Sequence, residues 1–78
     1  MVNIIKQIMH WRSGADEDWA VARELLDRNR IRHALFFGHL TLEKMLKAHV
    51  CRNTGDLAPL THNLVRLAQL AEIQLSSE

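Results

Sequence analysis

IRHALFFGHLTLEKMLKAHVC, residues 31–51, is the stretch that decides the fold. Read as a helix, it sets Ile31, Leu35, Leu42, Leu46 and Val50 along one stripe, with Ala34, Gly38 and Met45 at its edge. Steps of three and four are what a helical period of roughly 3.6 residues demands. Phe36, Phe37 and Leu40 fall on the opposite side, so the first half is apolar nearly all round. Only the second half has a charged face, made by Glu43, Lys44 and Lys47. A helix that is apolar on every side belongs in the middle of other helices.

Outward from it on the N-terminal side, Ile4, Ile8, Trp11, Ala15, Trp19, Ala22 and Leu26 keep the same spacing and predict one long helix over about residues 2–29. Gly14 lies inside this run and costs about 1 kcal/mol relative to alanine. Ser13, with Asp16 three residues on, offers a cap for a fresh helix instead. The stripe keeps its phase across Gly14, which favours a single helix, bent if at all at Ser13-Gly14. Residues 27–30 form the turn, where Asn29 suits the left-handed residue that ends a helix. So short a connection makes the first two helices antiparallel neighbours.

On the C-terminal side the central helix runs over residues 31–52, and Gly55 stops it. A loop containing Pro59 follows. Thr61 is the predicted N-cap of a third helix over residues 62–72. Leu64, Leu67, Ala68 and Ala71 form its buried stripe, while Leu70 and Ile73 point elsewhere. The tail, residues 75–78, has the serine-then-glutamate pattern with which helices begin. The expected fold class is therefore all-α: an antiparallel helical bundle of three helices in a single domain, residues 1–78. Two long helices and one short one leave a side of the central helix uncovered, to be filled by a further helix or a second copy.

Composition narrows the function classes. A chain of 78 residues hides only roughly 60–65% of its unfolded surface, so help from another chain is expected. The lone Cys51 excludes an intrachain disulfide and fits a reducing compartment. A net charge of +1 argues against a strongly electrostatic nucleic-acid binder. Arg23, Arg28, Arg30 and Arg32 do crowd the first turn of the chain; they read as a solvated helix end, with a phosphate-binding patch as the alternative. No apolar run is long enough for a membrane span, and the first residues, MVNIIKQIMHW, do not have the form of a secretory signal. The expected location is cytoplasmic.

Few residues assemble into chemistry. Of the five histidines, His39 stands one turn from Glu43, a pair that could share a metal. Metals want three or four converging ligands, so none is expected, and no cofactor either. His39 and His49 read instead as partly buried rings hydrogen-bonded to neighbours. Glu43 and Lys47 are spaced for a helix-surface ion pair worth a few tenths of a kcal/mol. Asp16, Glu17 and Asp18 point in different directions along a helix, so they read as a solvated face rather than an acid–base pair. Trp11 and Trp19 share the core stripe, and Cys51 reads as inert.

The tryptophan-bearing first helix, then ALFFGHLTLEKMLKA, then APLTHNLVRLAQLA, together resemble the prokaryotic HEPN domain family. The matching residues are Phe36, Phe37, His39, Leu42, Glu43, Lys44, Leu46, Lys47 and Ala48 in the middle helix, and Pro59, Thr61, His62, Asn63, Leu64 and Leu67 beyond it. The resemblance implies a helical bundle that commonly dimerises. It implies pairing with a nucleotidyltransferase-like partner in toxin–antitoxin systems, and in several lineages metal-independent ribonuclease activity. The family's catalytic pair is an arginine and a histidine with four to six residues between them, late in the domain. This chain is expected to be C-terminally short of that region. Arg28 with His33, and Arg32 with His39, satisfy the bare spacing but lie around the start of the second helix. The expected function is thus a non-catalytic HEPN-like interaction module that self-associates as a homodimer, with a dimeric ribonuclease and a weak RNA-binding module as the alternatives.

Overall fold

The computed structural model describes residues 3–58 and 61–70. They form three helices, α1 (Ile4–Asp27), α2 (Ile31–Thr54) and α3 (Leu64–Leu70). No strand occurs among the described residues. Helix α1 is continuous through Ser13-Gly14, as the unbroken phase of its stripe requires. Asn3 caps it, the side-chain oxygen accepting from the Lys6 amide at 3.0 Å. At the other end Asn29 takes the left-handed conformation, φ 62°. Its amide donates to Leu26 O at 2.9 Å and the Arg30 amide to Leu25 O at 2.9 Å. These two bonds make a Schellman motif, which ends α1 two residues before the expected boundary and reverses the chain into α2.

Helix α2 runs two residues beyond its expected end and stops at Gly55, in the left-handed region at φ 67°. The third helix starts later than expected. Its cap is Asn63, whose Oδ1 accepts from the Arg66 amide at 3.1 Å. Thr61, the predicted cap, spends its hydroxyl on the Asn63 amide at 3.2 Å. Asparagine outranks threonine as a cap, and it wins here. The expected end of this helix and the expectations for Ala71, Ile73 and the tail fall outside the described residues.

Helix α1 lies along α2, α3 packs on α2 further round, and α1 and α3 do not meet. The core cluster is Leu46, Val50, Leu67 and Ala68, with Leu64 and Leu70 packed against it. Leu70, expected to point elsewhere, therefore belongs to this core.

The central stripe is arranged differently from its sequence reading. Where α1 meets α2 the buried residues are small: Ala15, Ala22, Ala34, Thr41 and Ala48. Small side chains let two backbones approach, so this arc rather than the bulkier one faces α1. Ile31, Leu35, Leu42 and Met45 stay exposed, as do Trp19 and Leu26 of the α1 stripe. Glu43 and Lys47, the expected charged face, are each only 5% exposed. His62, ahead of α3, reaches Glu43, and Trp11 of α1 lies against Lys47. The outcome is a slab whose backbone spans 42 × 34 × 17 Å.

Candidate functional site

Two features of this slab concentrate chemistry-bearing residues: a polar network behind α2 and an open groove in front of it. The network is built by three residues of the middle and third motifs. His62, just before α3, places Nδ1 2.8 Å from Glu43 Oε1. The second carboxylate oxygen, Oε2, lies 3.6 Å from Lys47 Nζ, one turn further along α2. Lys47 Nζ in turn sits 4.9 Å above the Trp11 ring of α1, a cation–π contact. The Glu43–Lys47 pair is therefore a buried tie between elements rather than the expected surface pair. His62 is its one accessible member, with 82% of the side chain exposed.

A second tie crosses from α2 to α1. Lys44 Nζ lies 2.6 Å from Asp18 Oδ2, an ion pair outside hydrogen-bond alignment, since that oxygen has no hydrogen-bond partner. Asp18, expected on a solvated face, is thus drawn inward. Gly14 explains how: a Cβ there would stand 3.1 Å from Lys44 Cδ, so the missing side chain leaves the lane along which Lys44 reaches Asp18. The same α1 segment buries the Trp11 indole N–H beside the Cys51 thiol, too far out of line for a full hydrogen bond. Cys51 is wholly buried, and burial pushes its thiol pKa up against the smaller opposing pull of the Ala58 and Cys51 amides.

The remaining sequence candidates do not converge. Arg28 is engaged with Glu24 of its own helix at 3.4 Å, and His33 is exposed at the start of α2. Arg32 and His39 are also exposed, about two turns apart on α2. No hydrogen bond or ion pair joins either couple among the described residues. His39 and His49, expected to be partly buried, are exposed; among the described residues, no element packs over the side of α2 they occupy. Among the described residues no group of three or more histidine, cysteine or acidic side chains is placed to hold a metal ion.

That uncovered side is the groove. Three recesses follow one another along the α1–α2 seam. The first, of 450 Å³, is walled by Trp19 and Leu26 of α1 and by Ile31, Leu35 and Leu42 of α2. The second, of 380 Å³, shares Trp19, Gly38 and Leu42 with it and continues past Thr41 to Met45. The third, of 330 Å³, shares Ala15, Asp16 and Met45 and ends between Ile8, Arg12, His49 and Arg52. Shared walls make them one trough with a floor of small residues. At Gly38 nothing lies within 4 Å of where a Cβ would stand.

The HEPN domain family profile matches residues 8–78, nearly the whole chain. The chain belongs to the HEPN family. No curated protein and no solved structure matches it. Membership accounts for the all-helical bundle. Of the residues the resemblance singled out, Glu43, Lys47 and His62 meet behind α2, Lys44 ties α2 to α1, and His39 stands apart, exposed on α2. Thr61 holds the turn that presents His62. Sequence reasoning missed the cross-helix partners Asp18 and Trp11, for which only the bare Gly14 one turn before Asp18 gave a signal. No described helix is long and apolar enough to cross a membrane.

Proposed function

We propose that this HEPN chain is an interaction module without catalysis of its own, which works by self-association through the α1–α2 groove, each copy covering the other. The observation that carries this reading is the row of large apolar side chains left exposed along the α1–α2 groove, in a chain more extended than a compact monomer. The chain exposes 6192 Å², whereas a compact monomer of 9.0 kDa exposes about 4,900 Å². The radius of gyration, 13.5 Å, likewise exceeds the ~11.5 Å of a compact chain of this length. Exposed Trp19, Leu26, Ile31, Leu35, Leu42 and Met45 lie together on that face, and a contiguous apolar patch of this kind marks an interaction surface.

Light scattering across the micromolar range tests the reading. The wild-type chain is expected to be a dimer. Leu42→Glu, which sets a charge in the middle of the trough, is expected to give a monomer with unchanged helical circular dichroism. A wild-type chain that stays monomeric throughout, with full helix content, would overturn it.

A further inference from the structure

The groove is apolar along its middle and basic at its ends. Arg12 and Arg52 line one end, where Asp16 stands one turn from Arg12, and Arg23 lines the other; Asp16 is the one carboxylate among the described lining residues. Because α1 and α2 are antiparallel, two copies can face each other in two ways. If the two-fold axis crosses the groove, Arg12 and Arg52 of one copy come opposite Arg23 of the other. If the axis runs along the groove, each arginine comes opposite its own counterpart. Arginine meets arginine in both, Asp16 offsets one of the three positive charges of each copy, and the like charges left facing each other across an interface weaken the pairing. A second copy satisfies the apolar middle and leaves the ends unmatched.

We propose that the groove is a receptor for an amphipathic helix of a different polypeptide, apolar where it faces Trp19, Leu42 and Met45 and acidic where it faces Arg12, Arg52 and Arg23, and that this helix displaces the second copy. The inference rests on the proposed function only in taking the groove as the working surface. The shape fits a helix. The trough lies between two helices of 24 residues each, about 36 Å long. Its small floor, with Gly38 bare, admits large side chains at the spacing of an apolar helical stripe, the usual mode of helix-in-groove recognition. The complementary charge supplies what a copy of this chain cannot.

The probe is a labelled helical peptide of about 18 residues, roughly five turns, with leucines on one face and glutamates flanking them. Its control has lysine in place of each glutamate. In anisotropy titrations the glutamate peptide is expected to bind about ten-fold or more tighter than the lysine peptide. That preference should shrink in the Arg12→Gln/Arg52→Gln variant, and Leu42→Glu should abolish binding. Light scattering of the mixture should show the dimer giving way to a one-to-one complex. Equal binding of the two peptides, binding by neither, or binding that survives Leu42→Glu overturns the proposal. So does an Arg12- and Arg52-dependent affinity for single-stranded RNA that the glutamate peptide does not compete away. A protein that is monomeric alone yet binds the glutamate peptide would sink self-association and keep this inference. A dimer indifferent to the peptide would do the reverse.

Discussion

Glu43 and Lys47 each keep only 7% of the side chain in contact with solvent, so neither charge has much water to fall back on. Removing one partner of such a pair leaves the other buried and uncompensated, at a cost of about 3–5 kcal/mol. Glu43→Ala is therefore expected to lower thermal stability sharply, whereas Glu43→Leu combined with Lys47→Met, which removes both charges and keeps the volume, should lose much less. Calorimetry of the single and double variants separates the two. His62→Ala is expected to cost about 1 kcal/mol or less, since an exposed partner is screened by solvent. Cys51 gives a pH-dependent readout. Its folded-state pKa is raised by burial, so its contribution to stability is present below the unfolded thiol's pKa and is lost as pH climbs from there through the folded value. The folded protein should be inert towards an aromatic disulfide reagent at neutral pH and should react fully once denatured.

At the scale of the elements, the two glycines inside helices make opposite predictions from the same propensity. Gly38→Ala meets open space and should raise stability by about 0.8–1 kcal/mol. Gly14→Ala gains the same propensity but places a Cβ 3.1 Å from Lys44 Cδ, which loosens the Lys44–Asp18 tie, so its net gain should be smaller. Chemical denaturation of the two variants side by side measures the difference. Helix α3 has seven residues and is held by Leu67, which is fully buried. Leu67→Ala should cost about 2–5 kcal/mol and should speed hydrogen exchange in α3 before it does so in α1. Much of this arrangement was legible in the sequence: the three helices, the hairpin at Asn29 and the stop at Gly55 follow from periodicity and turn chemistry, which act locally. The inward side of α2 was not legible. Periodicity shows that Leu35 and Leu42 share a face, but it cannot show that only small residues let α1 come close, or that His62 and Trp11 close over Glu43 and Lys47. Those outcomes depend on long-range packing, as does the pairing of Lys44 with Asp18.

For the whole molecule, the open face ties stability to concentration. If copies associate only when folded, mass action stabilises the folded state as protein is added. The midpoint of thermal unfolding should then rise with concentration in the wild type and stay fixed in Leu42→Glu. The expectation of an uncovered side on the central helix came from weighing two long helices against one short one in the sequence. That weighing could not indicate which side was bare, nor that Arg12, Arg23 and Arg52 would frame that side.

The two tryptophans stand in opposite relation to the groove. Trp19 is 53% exposed on its wall, while Trp11 lies beneath Lys47 on the far side of the helix pair. An indole leaving water emits at shorter wavelength, so Trp19 colours the open and occupied states differently while Trp11 holds a steady background. With Trp11 replaced by phenylalanine, intrinsic fluorescence becomes a gauge of occupancy that needs no added dye.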